Sequence, residues 1–75
     1  MIRYRNLNGD SGIAGYETGA DFIRIVFRTG SVYLWTVASA GRLHIERMTK
    51  LADAGRGLNT YINRWVRKAF ARRER

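Results

Sequence analysis

The side chains able to do chemistry in this chain are few, and they point away from catalysis. His44 is the sole histidine and stands two positions from Glu46, a spacing that turns the two side chains apart on a helix. Cysteine is absent, and Asp10, Glu17, Asp21, Glu46 and Asp53 are scattered rather than paired. No nucleophile–base pair, zinc site or cofactor motif can be assembled from that set. The expectation is a binding protein, not an enzyme, without catalytic residues, metal ligands, a cofactor or a small-molecule substrate. What remains is stacking and charge. Arg24, Arg28, Tyr33 and Trp35 alternate guanidinium groups with aromatic rings along two β-like runs. A base stacked on such a ring is worth ~1–3 kcal/mol, and neighbouring arginines can hold phosphate.

A second set is purely cationic. The net charge is +8, and its distribution is uneven: residues 1–55 carry seven basic and five acidic side chains, residues 56–75 seven and one. Arg56, Arg64, Arg67 and Lys68 belong to that final segment, which favours phosphate-rich or anionic-lipid partners. If Arg64, Arg67, Lys68 and Arg72 neutralise about four phosphates, log K falls with log salt at roughly −3 to −4. The run Gly55-Arg56-Gly57-Leu58 ahead of a helix invites an anion-loop reading. It follows no strand and lacks a Gly-Lys-Ser/Thr ending, so a helix C-cap and tight turn is the plainer account.

These residues need a scaffold. Phe22–Arg28, Thr29-Gly30 and Ser31–Val37 read as a hairpin with a two-residue turn. That register puts Ile23, Ile25 and Phe27 with Thr36, Leu34 and Val32 on an aliphatic face. Arg24 and Arg28 then share the other face with Trp35 and Tyr33. Ile13–Glu17 is a shorter strand before it, weakened by Gly15. A four-residue connection places Tyr16 on the aliphatic face, and a three-residue one places it with Arg24 and Trp35. Ser39 can cap a helix over 40–54, with Ile45, Met48, Leu51 and Ala52 on one side. Gly55 stops it. A second helix over 58–72 gathers Leu58, Tyr61, Ile62, Trp65, Val66, Ala69 and Phe70 within one broad half-cylinder.

The fold class is therefore α+β, a three-stranded antiparallel meander followed by two α-helices, β-β-β-α-α. Both helices cover the aliphatic face, or one lies on each side with arginines snorkelling at its margin. Seventy-five residues make one domain, over 1–75, with a thin core and no disulfide to staple it. A homodimer would bury more apolar surface. No targeting or membrane-spanning stretch is visible, so a soluble cytoplasmic protein is expected.

The ordered motifs Ser11-Gly-Ile13, Gly15-Tyr16, Ile23–Phe27, Gly30, Val32-Tyr33-Leu-Trp35 and Gly55-Arg56-Gly57-Leu58-Asn59 with Ile62 resemble the KTSC family. That family is a short domain found at the C-terminus of some lysyl-tRNA synthetases and as small stand-alone bacterial proteins. The likeness covers about residues 10–63, and residues 64–75 form a basic helical extension beyond it. Trp35 stands where the family pattern has a second central Tyr, and Leu58 where an aromatic is usual. The resemblance implies no cofactor and no catalytic residue, and RNA binding through the synthetase association. Together these readings suggest a small basic module that binds RNA, tRNA or single-stranded, without strong sequence preference. Arg24, Arg28, Tyr33, Trp35 and Tyr16 would form the platform, and Arg56, Arg64, Arg67 and Lys68 would hold the backbone. The rival is a protein-interaction or self-assembly module. Membrane-surface attachment through the basic helix ranks below both, since it needs Trp65 and Phe70 to face outward.

Overall fold

The computed structural model describes residues 1–7, 9 and 12–75; Ser11, the first residue of the family-like motif, and Asp10 lie outside that set. The described residues form an antiparallel sheet in the order β1 (Ile2–Arg3), β2 (Ile13–Thr18), β3 (Phe22–Phe27), β4 (Val32–Thr36), β5 (Arg72–Arg73). Between β4 and β5 come α1 (Val37–Ala40), α2 (Arg42–Ala54), α3 (Leu58–Tyr61) and a π-helical turn over Ile62–Val66. The α+β class and the central meander stand as read. The order β-β-β-α-α is incomplete, because a short strand is added at each edge and each expected helix is divided.

The hairpin register differs from the expected one by a single residue. Ile23 faces Trp35, Arg24 faces Leu34 and Ile25 faces Tyr33. The cause is the turn. A two-residue primed turn at Thr29-Gly30 requires positive φ at Thr29, its first central residue, and a β-branched Thr resists that conformation. The chain uses the three-residue loop Arg28-Thr29-Gly30 instead, closed by Phe27 N–H to Ser31 O at 2.8 Å and Gly30 N–H to Phe27 O at 2.9 Å. Only the glycine takes positive φ, at 94°. Since side chains alternate along a strand, this one-residue slip exchanges the faces of β4 relative to β3. Trp35 and Tyr33 join Ile23 and Ile25, while Leu34 and Val32 join Arg24. Tyr16 faces Ile25, so the aliphatic-face alternative is the one observed.

All helical side chains of the core lie on that first face. Ile45, Met48 and Ala52 from α2, with Leu58, Ile62 and Val66, pack on Ile13, Tyr16, Ile23, Ile25 and Trp35. Ser39 is not the N-cap of the long helix. Thr36 caps α1, its hydroxyl accepting from Ser39 N–H at 3.1 Å while the Ser39 hydroxyl accepts from Thr36 N–H at 3.0 Å. Gly41, at φ 93°, separates α1 from α2.

Gly55 ends α2 in the left-handed conformation, at φ 78°, and a Cβ there would stand 2.7 Å from Arg5 Cβ. Gly55→Ala should therefore cost about 1–3 kcal/mol, measurable as a shift of the urea midpoint without a change in slope.

The second expected helix does not reach Arg72. After the π turn the chain leaves helical geometry, and Ala71 N–H donates to Leu34 O at 2.7 Å while Glu74 N–H donates to Val32 O at 2.7 Å. Periodicity favours continued helix over 67–72, but β4 would otherwise be an edge with unpaired backbone groups. The tail satisfies them. Of residues 64–75 only 64–66 are helical, in the π turn, and the rest is no helical extension; Val66 is in the core and Phe70 packs against it.

Candidate functional site

The expected platform is dispersed by the register. Trp35 is 1% exposed, and its indole N–H donates to Val66 O at 2.9 Å. It lies beneath the helical layer rather than open to a base. Tyr16 is likewise buried, its hydroxyl donating to Asp53 Oδ1 at 2.7 Å. Burial first, then that hydrogen bond to a carboxylate, pushes the phenol up to about 12 from 10.0. The neutral phenol is the form the fold favours, so this contribution is complete below about pH 10 and is lost as pH rises through about 12. An ultraviolet titration should show one tyrosine ionising late, and Tyr16→Phe should remove that step.

Arg24 sits on the opposite side of the sheet from Trp35 and Tyr33. It bonds both Glu17 and Glu74, reaching from β3 across the Leu34 row to the carboxylate just beyond β5. That strap explains why Leu34 is buried on a face without a helix. The same guanidinium, helped by Arg72, holds the Glu74 carboxyl below its ordinary range. Its stabilisation is present above the ordinary carboxylate pKa and disappears as pH falls through the lowered one. Arg24 is charge-matched, so it offers little to a phosphate. Arg28 occupies the hairpin loop and lines a separate polar cavity with Arg3 and Arg5. Of the expected platform only Tyr33 stays both partly exposed and aromatic, now beside Phe70 rather than Arg24.

The cationic set fares differently. Arg56, Arg64, Arg67 and Lys68 are all exposed, and no acid among the described residues pairs with them; the ion pairs involve Arg24, Arg42 and Arg72. The unexpected member of this set is Trp65, 59% exposed, with the Arg64 guanidinium 6.0 Å from its ring centre. Leu58, Ile62 and Val66 occupy the buried stripe at i+4 spacing across the π turn, and Trp65 lies outside it. The two indoles have exchanged their expected roles: Trp35 is core, and Trp65 is surface.

A groove opens between the β3–β4 hairpin and the segment that follows α3. Phe27, Tyr33, Trp35, Ile62 and Phe70 form its walls, Asn63, Arg67 and Lys68 stand along one side, and its volume is about 480 Å³. The Tyr33 and Phe70 rings meet edge to face at 4.9 Å between centres. Trp65 is not part of this groove and lies on another face of the same helical segment.

His44 packs edge to face against Tyr61. Its Nδ1 lies 2.5 Å from the Tyr61 hydroxyl, a contact that ties α2 to α3. No cluster of metal-ligating side chains occurs among the described residues. Nor is any of their helices long and apolar enough to cross a membrane. Comparison with known proteins gives no match to a family model, to a curated protein or to a solved structure.

Proposed function

We propose that this chain is a small basic module that binds RNA without strong sequence preference, through the cationic surface around Trp65 rather than through the hairpin. The observation that carries the reading is the exposed Trp65 ring beside Arg64, within a segment whose Arg67 and Lys68 have no carboxylate partner among the described residues. Stacking on an exposed indole is indifferent to base identity, because every base has a π face. Charge contacts from Arg56, Arg64, Arg67 and Lys68 are equally indifferent to sequence. The resemblance of the strand, turn and Gly55–Asn59 motifs to the KTSC family, with its synthetase association, supports the same reading. Membership of that family is part of the proposal.

Fluorescence anisotropy with labelled single-stranded RNA and tRNA tests it. Binding should weaken with salt at a slope of roughly −3 if about four phosphates of a single strand are neutralised. Because Trp35 is 1% exposed, most quenching of indole emission by RNA should come from Trp65 and be largely lost in Trp65→Ala. Absence of any salt-sensitive binding at tens of micromolar protein would end the reading.

A second reading rests on the helix-free face of the sheet, where Phe22 and Val26 are half-buried. That face suits a second copy of the chain or another protein. Sedimentation velocity separates the two: a tight dimer whose assembly protects this face, with no RNA binding, would favour it.

A further inference from the structure

We propose that the aromatic groove takes one unpaired nucleobase, with an adjoining phosphate held by Arg67 and Lys68; this rests on the RNA reading and names the chemical group the second site accepts. Four of the chain's nine aromatic residues, Phe27, Tyr33, Trp35 and Phe70, converge on the groove. Its volume of about 480 Å³ falls within the ~300–1,000 Å³ usual for small-molecule sites. Trp35, hydrogen-bonded to Val66 O, is fixed in the wall and needs no ordering when a ligand enters.

The rim decides what that ligand is. Arg67 and Lys68 border the groove, and among the described residues no Asp or Glu lines it. A third cation approaches from β5, where Arg73 lies 5.6 Å from the Tyr33 ring centre and donates to Ser31 Oγ at 3.3 Å. An aliphatic chain would find the walls suitable and the cations idle. An inorganic anion would use the cations and leave the rings unused. A flat heteroaromatic ring carrying a phosphate uses both, and Asn63, Thr29 and Ser31 at the margin can bond a base edge. Trp65 stacks elsewhere on the same segment, so an RNA strand touching both places presents its backbone to Arg64, Arg67 and Lys68 between two stacked bases.

Adenosine monophosphate is the probe, with ribose 5-phosphate and phenyl phosphate beside it, followed by NMR of the aromatic side chains. The expected result is saturable shifts of the Tyr33 and Phe70 rings, unchanged in Trp65→Ala. Ribose 5-phosphate should bind about tenfold more weakly, the worth of one stacked base near the low end of its range. Arg67→Glu with Lys68→Glu, both at exposed positions, should weaken the nucleotide while leaving the fold intact, and Asn63→Trp should block the groove. Shifts confined to Trp65, no saturation, or equal binding of ribose 5-phosphate would overturn the groove assignment. Phenyl phosphate binding as tightly as the nucleotide would overturn the nucleobase in favour of an aromatic acid or a phosphotyrosine-like peptide. If labelled RNA binds the protein while the groove rings stay unmoved, the groove inference alone fails. If the nucleotide fills the groove but RNA shows no salt-sensitive binding, the RNA reading alone fails.

Discussion

Trp35→Ala should leave the chain unfolded or at the margin of unfolding, with a loss of ~3–5 kcal/mol. The indole is 1% exposed, and its ring centre lies 5.9 Å from that of Tyr33 and 6.3 Å from that of Phe70. Truncation opens a void beside those two packed rings and under the helical layer, where little collapse can refill it. Loss of the N–H adds less, because Val66 O also accepts from Ala69 N–H at 2.9 Å. For a chain of this length total stability is ~4–11 kcal/mol, and the substitution removes a large part of it. Trp65→Ala should change stability by no more than ~0.5 kcal/mol. Urea titrations of both variants decide the matter. Equal losses, or the larger one at Trp65, would show that the hairpin register is wrong.

Reversal of three charges, Arg64→Glu, Arg67→Glu and Lys68→Glu together, should lower RNA affinity about a hundredfold at 0.1 M salt. The figure follows from losing three phosphate contacts, each contributing about 0.7 to the salt slope of a single strand. The slope itself should flatten by about two. These side chains are exposed and have no ion-pair partner among the described residues, so the melting temperature should move little. An unchanged slope would mean that the phosphates are held elsewhere, and the cluster of Arg3, Arg5 and Arg28 would be the next place to look. Membrane-surface attachment required both Trp65 and Phe70 to face outward; Trp65 does, but Phe70 packs against the core. Co-sedimentation with anionic vesicles should be absent, or should be competed away by RNA.

Much of the scaffold was legible in the residues. Alternation in Ile23–Phe27 and Val32–Trp35, the apolar stripe of Ile45, Met48 and Ala52, and the glycine after Ala54 each express a local rule, and each appears where the rule puts it. The functional surface was not legible, because it hung on one residue of register. Thr29-Gly30 resembles a two-residue turn, and only the cost of positive φ at Thr29 argues for the longer loop. That single choice decides whether Trp35 lies with Arg24 or with Ile23. The tail defeated local reasoning for another reason. Residues 67–72 carry a helical pattern, yet the unpaired rim of β4 lies more than thirty positions away in sequence and no window contains both. An apolar stripe narrowed to Leu58, Ile62 and Val66 leaves the Trp65 indole at its border.

The tail's pairing with β4 has a colloidal consequence. Arg72 and Arg73 now form the outermost strand at one edge of the sheet, with Arg75 just beyond it, so two molecules approaching by that edge meet like charge before their peptide groups can zip together. A polyanion bound along that edge screens the mutual repulsion. Turbidity should then be greatest where added phosphate charge matches protein charge, and should clear again when either component is in excess.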